Sequence, residues 1–119
     1  MTIADTDVLI DYLAGKGEAA AVKGLLRRGA LRTTVVTRFE LLSGAKNPKQ
    51  LARLVQLLAA VPSLALDDAA SEVRRSLERS GNPIGMADSL IARIAIGNGG
   101  TLLTRNRRHF ERVAGLRLV

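Results

Sequence analysis

The chain contains no cysteine and no tryptophan, a single histidine, and only three aromatic residues, Tyr12, Phe39 and Phe110. Without cysteine, disulfides and thiolate–zinc chemistry are both excluded. With so few aromatics, single-strand binding by base stacking has almost no platform to use. No run reaches ~18 uncharged apolar residues, so a membrane-spanning helix is not expected. The opening MTIADTDVLI has no basic flank and carries acids within its first apolar stretch, unlike a signal peptide. A cytoplasmic protein without a membrane partner is the expectation. P-loop, GxGxxG, HExxH and GxSxG motifs are all missing. Ser and His occur at no spacing that supports a hydrolytic pair. No helix pair around a short turn ends in a basic recognition helix, which counts against a helix-turn-helix protein.

Aliphatic residues and positive charge are what the chain does have. Its 119 residues are 47% hydrophobic, enough for one domain over 1–119 with an aliphatic core. The formal net charge is +7. That favours an anionic partner, with nucleic acid ahead of a membrane surface, although solubility alone would also account for it. Nine of the eighteen bases lie between Lys16 and Arg53, and five more between Arg105 and Arg117. Two basic regions around a sparse set of acids suit a groove for a polyanion.

Strand and helix signals alternate. Residues 2–4 form a short strand candidate, and Val8, Leu9, Tyr12 and Leu13 then repeat at helical spacing up to Gly15. Ala19 to Leu26 reads as a second helix ending near Gly29. Leu31 to Val36, rich in Thr and Val, reads as a strand. Thr37-Arg38-Phe39-Glu40 has the form of a capping box ahead of a third helix. Asn47-Pro48 opens a fourth, with Leu51, Leu54, Val55 and Leu58. Ser63 to Leu66 is a short strand. Asp67 or Asp68 caps a helix through Leu77, ended by Gly81-Asn82-Pro83. Ala87 to Ile96 is an apolar helix, Thr101 to Thr104 a strand, Arg107 to Val113 a brief helix, and Leu116 to Val119 a last strand. Short, unalternated strands between helices predict an α/β fold with a parallel sheet covered on both faces. In such sheets ligands bind beyond the carboxyl ends of the strands. No repeat, linker or low-complexity segment interrupts the pattern.

The acids stand where that edge would be. Asp5 follows the first strand, and an N-cap role explains it as well as a metal does. Asp7 can cap the same helix, and Asp11 lies four residues on, facing solvent or supporting the site from behind. Glu40 has a dull explanation in the capping box, because a side chain bonded back to the cap amide is not free to coordinate. Asp88 opens the most apolar helix, where the helix dipole favours it, and Ser89 adds a second small polar group. Thr104 and Asn106 follow the last clear strand and can hydrogen-bond or coordinate weakly. His109, among Arg105, Arg107 and Arg108, suits phosphate contact, although a lone histidine is more often structural.

These residues resemble those of a PIN-domain ribonuclease, most closely a VapC-type toxin of type II toxin–antitoxin pairs. Ile3-Ala4-Asp5-Thr6-Asp7-Val8-Leu9-Ile10 is similar to the family's opening block. Thr37-x-x-Glu40-Leu41 is similar to the second, Ile84 to Ala95 around Asp88-Ser89-Leu90-Ile91-Ala92 to the third, and Leu102-Leu103-Thr104-Arg105-Asn106-x-x-His109-Phe110 to the fourth. Val113-x-Gly115-Leu116-x-Leu118 resembles its ending, so the resemblance spans essentially the whole chain. It implies a PIN-like three-layer domain with a central parallel sheet of four to five short strands flanked by helices. It implies metal binding by Asp5, Glu40 and Asp88, with Asn106 completing the catalytic set. Relatives often carry Asp at the position of Asn106, so the resemblance leaves open whether one ion or two are held. It also implies homodimerisation and inhibition by a cognate antitoxin.

The resulting expectation is a Mg²⁺- or Mn²⁺-dependent endoribonuclease acting as a toxin that inhibits translation or growth. An all-oxygen ligand set suits such hard ions. Thr6, Asp7, Ser89 and Thr104 would support the ligands, and Arg38, Arg105, Arg107, Arg108 and His109 would contact the RNA backbone. The alternative is a non-catalytic nucleic-acid or protein-binding domain on the same fold.

Overall fold

The computed structural model describes residues 1–66, 75, 77–79 and 84–119. Five parallel strands form one sheet in the order β3-β2-β1-β4-β5. They are β1 (Thr2–Ala4), β2 (Leu31–Thr34), β3 (Ser63–Leu64), β4 (Thr101–Leu103) and β5 (Arg117–Leu118). The described helices are α1 (Thr6–Ala14), α2 (Ala19–Arg27), α3 (Val35–Ser43), α4 (Pro48–Ala60), α5 (Met86–Gly97) and α6 (Arg107–Phe110). The expected α/β architecture is therefore present. The helix expected from Asp67 or Asp68 to the Gly81-Asn82-Pro83 break lies largely outside the described residues.

Side-chain alternation along the strands divides the core into two layers. Ile3 and Leu102 are in register on β1 and β4, and so are Ala4 and Leu103. Ile3 and Leu102 pack with Ile91, Ala92, Ala95, Phe110 and Val113 on one face. Ala4 and Leu103 pack with Val8, Leu9, Val22, Leu54 and Leu58 on the other. A strand buried on both faces needs apolar residues at consecutive positions, which is why Thr101-Leu102-Leu103 shows no alternation. Truncating Ile3 or Leu102, both with no exposed surface, should cost about 2–5 kcal/mol.

Local chemistry sets the helix ends. Asp5 is the N-cap of α1, its side chain accepting from the Thr6 amide. Gly15 closes α1 at φ 68°, a left-handed conformation that glycine adopts without a Cβ penalty. Asn47 caps α4, with Pro48 in its first turn.

The expected capping box is not formed. Thr34 caps α3, and its hydroxyl accepts from the Thr37 amide at 3.1 Å. The helix thus begins at Val35, inside the segment expected to be strand, and β2 stops at Thr34. Thr37 lies within the first turn, fully buried. Glu40 is consequently one turn further along α3 and is released from any capping duty.

Candidate metal and phosphodiester site

Strand order reverses on either side of β1, whose neighbours are β2 and β4. This is the switch point at which parallel sheets open a crevice. Asp5 stands at the carboxyl end of β1. Only 6% of its surface is exposed. Its Oδ1 accepts from the Thr6 amide at 2.8 Å, and its Oδ2 accepts from the Thr104 hydroxyl at 2.7 Å. Capping and site membership are thus compatible in one carboxylate, since each oxygen has its own donor.

Burial is the main reason the Asp5 carboxyl is pushed up to about 6 from 3.8. The hydrogen bonds from Thr104 and Thr6 oppose that rise, whereas the negative fields of Asp7 and Asp88 add to it. Asp5 and Asp88 are 83 positions apart in sequence yet close enough to repel.

The second carboxylate arrives from α3. Oε1 of Glu40 accepts from the Thr6 hydroxyl at 2.8 Å, and the same hydroxyl lies 3.1 Å from that of Thr37. Glu40 is exposed. A cleft of about 430 Å³ runs from Thr6 and Glu40 past Ile10, Lys46 and Arg53.

The third comes from α5. Gly85 occupies the N-cap without a side-chain bond, so Asp88 is in the first turn and not a cap. Its Oδ2 lies 3.0 Å from Nδ1 of His109. Nδ1 of His109 is also 3.0 Å from Nδ2 of Asn106. One ring nitrogen cannot donate to a carboxylate and accept from an amide together. Turning the Asn106 amide so that its oxygen faces a protonated Nδ1 satisfies both neighbours. Either way, His109 joins Asp88 to Asn106.

The loop from Thr104 to Asn106 is tied down from several sides. The Thr104 hydroxyl accepts from the Asn106 amide at 2.9 Å, and the Arg105 amide donates to Oδ2 of Asp7 at 3.0 Å. Asp7 is therefore a support for this loop, not the cap of α1. Its Oδ1 is buried and has no hydrogen-bond partner among the described residues.

Two further polar residues are placed by the structure. The Ser89 hydroxyl, almost fully buried, donates to the Gly85 carbonyl at 2.9 Å and so secures the start of α5. Asp11 does not face solvent: it is 1% exposed and pairs with Nε of Arg105 at 2.9 Å. Spacing from Asp7 gives the shared face of α1 and leaves open whether it meets solvent or the site; the structure turns it inward. Thr37, expected as a cap, instead donates its amide to Thr34 and sets its hydroxyl beside that of Thr6, because T-x-x-T and T-x-x-E patterns overlap between Thr34 and Glu40.

The basic residues divide similarly. Arg38, Arg105, Arg107, Arg108 and His109 are all exposed, and they differ in what holds them. Arg105 is held by Asp11, and Arg107 reaches the Val119 carbonyl and Glu111. His109 is occupied by Asp88 and Asn106.

The donor set is oxygen-rich and crowds negative charge around Asp5, and beside it Asp7 keeps a buried carboxylate oxygen without a partner among the described residues. These are properties that a hard divalent cation satisfies. Among the described residues, no three Asp, Glu or His side chains already stand as a closed ligand group. Glu40 and Asp88 are instead parked on Thr6 and His109.

The sequence and the fold both match known proteins. The chain is 32% identical over 121 residues to a protein of Shigella flexneri named tRNA(fMet)-specific endonuclease VapC, covering 95% of this chain and 92% of that relative. It superposes on the structure of DNA-bound VapBC from Salmonella typhimurium with a TM-score of 0.86 at 28% identity, covering 99% of this chain and 96% of that one. A toxin–antitoxin complex from Klebsiella pneumoniae aligns with a TM-score of 0.76 at 25% identity, over 98% of this chain and 95% of that one. The PIN domain pattern matches residues 2–116. By sequence and by fold, the chain belongs to the PIN domain family.

Proposed function

We propose that this protein is a metal-dependent endoribonuclease, the toxin of a toxin–antitoxin pair. The observation that carries the reading is the meeting of four distant segments at the carboxyl edge of the sheet. Asp5, Glu40, Asp88 and Asn106 are joined there through Thr104, Thr6 and His109. The relatives named as VapC endonucleases and as toxin–antitoxin complexes support the same reading.

In this mechanism Asp5, Glu40 and Asp88 hold Mg²⁺ or Mn²⁺, with Asn106 as a neutral fourth group. When bound, the ion supplies water activation and charge neutralisation at the phosphoryl oxygens. Thr104 and Thr6 aim the carboxylates of Asp5 and Glu40. His109 holds Asp88 and Asn106 on the opposite side. Arg38 and Arg108, exposed at the approach, supply sequence-independent attraction to the RNA backbone. Homodimerisation and restraint by an antitoxin complete the proposal.

The test uses purified protein and labelled RNA with Mg²⁺ or EDTA, beside Asp5→Asn and Asp88→Ala variants. Cleavage by wild type in Mg²⁺ alone, lost in both variants, is expected. RNA binding that ignores the metal, without cleavage, would return the protein to the non-catalytic reading. Expression in cells with growth scored and RNA ends sequenced would identify the target.

A further inference from the structure

Asp11 is a buried carboxylate to which the mechanism above gives no task. It lies one turn after Asp7 on α1, with 1% of its surface exposed. Its Oδ2 accepts from Nε of Arg105 at 2.9 Å and from the Glu18 amide at 3.1 Å. The chain after α1 is shaped around this group. A Cβ on Gly17 would lie 2.2 Å from Oδ2, and Gly17 has φ +54°. A side chain at residue 17 would therefore displace the carboxylate.

The partner arginine occupies the middle of the loop that carries Thr104 and Asn106. Its amide is held by Asp7 and its side chain by Asp11, so two acids on one face of α1 grip one residue at both ends. On one side of Arg105, the Thr104 hydroxyl meets Asp5 at 2.7 Å. On the other, Asn106 meets His109 and through it Asp88. A planar guanidinium held at Nε by a buried charge restrains the backbone more firmly than a flexible ammonium would.

We propose that Asp11, acting through Arg105, is a positioning residue that sets the Thr104–Asn106 loop against Asp5 and Asp88. Its kinetic consequence rests on the ribonuclease reading. Arg105 is on this account a structural clasp and not an anchor for RNA. Small displacements of reacting groups cost rate without weakening substrate binding.

The experiment compares wild type with Asp11→Asn, Arg105→Ala and the double variant. Asp11→Asn keeps an acceptor for the Glu18 amide and removes only the charge. Both single variants should lower kcat about tenfold with KM changed less than about twofold. The double variant should lose no more than either single one, because both remove the same pair. Arg105→Ala removes the pair from the exposed side and serves if Asp11→Asn fails to fold.

Amide hydrogen exchange supplies a readout that needs no catalysis. In either single variant, exchange at the amides of residues 105 and 106 should rise about tenfold while β1 and β4 keep their protection. If wild type cleaves no RNA, the ribonuclease reading fails and exchange still decides whether Asp11 holds the loop. Unchanged exchange at the amides of residues 105 and 106 overturns the proposal. So does a raised KM with intact kcat, which would make Arg105 an RNA anchor, and so do losses that multiply in the double variant.

Discussion

The Thr104 hydroxyl donates to Oδ2 of Asp5 at 2.7 Å across 99 positions of sequence. This bond links the carboxyl ends of two adjacent parallel strands, β1 and β4. It also lets the same hydroxyl accept from the Asn106 amide. Thr104→Val keeps the shape and removes both bonds. It should cost about 1–2 kcal/mol of stability, because a buried carboxylate oxygen and an amide lose their partner. RNA cleavage should fall by at least about tenfold. Chemical denaturation and single-turnover cleavage measure the two effects separately.

The raised Asp5 carboxyl makes a pH prediction of definite sign. Between 3.8 and about 6 the folded protein binds more protons at this group than the unfolded chain does. The group's favourable contribution is complete below 3.8 and is lost as pH rises through about 6. The loss should approach about 3 kcal/mol in metal-free protein. Asp5→Asn should flatten that part of the stability curve and be more stable than wild type above pH 7. Urea melts from pH 4 to 8 in EDTA decide it. A wild-type curve that matches the variant's would refute the assignment.

The same crowding predicts a thermal response to metal. Mg²⁺ or Mn²⁺ at ten times its Kd should raise the Tm of wild type by about 6 °C. Asp5→Asn and Asp88→Ala should respond by less than half as much. Scanning calorimetry with Ca²⁺ and K⁺ controls separates site binding from general screening.

The third helix offers a test of which threonine caps it. Thr34→Ala removes the observed cap and should destabilise the protein by about 1 kcal/mol or more. Glu40→Gln should leave stability within about 0.5 kcal/mol of wild type while lowering cleavage strongly. A capping box at Thr37 would leave Thr34→Ala no cap to remove, and its cost would then fall within about 0.5 kcal/mol.

Much of the fold was legible in residue order. Gly15, Gly29, Asn47-Pro48 and the turn at Gly97 to Gly100 bound helices at or close to the expected ends. The runs Ile3-Ala4 and Leu102-Leu103 pointed to strands buried on both faces. The beginning of α3 was not legible. Val35 and Val36 favour strands on their own, and the Thr34 cap overrides that preference once Thr37 is buried beneath it. Glu40 stood out as an acid near the start of α3, but its capping explanation misses by one helical turn, because Thr34 and not Thr37 is the cap.

Sequence by itself determined the chemistry on offer: oxygen donors without thiols, a basic surface, an aliphatic core, and acids placed after strands or at helix starts. Local spacing carries that information because caps and periodicity involve neighbours a few positions apart. Only the tertiary structure decided which acids share a site. Parallel pairing of β1 with β4 sets Thr104 on Asp5, α3 swings Glu40 onto Thr6, and α5 and α6 bring Asp88 to His109. It also buried Asp11, which one-dimensional spacing had left between solvent and site. Those outcomes depend on strand register and helix packing, where residues up to 99 positions apart meet and each charge is judged by its new surroundings.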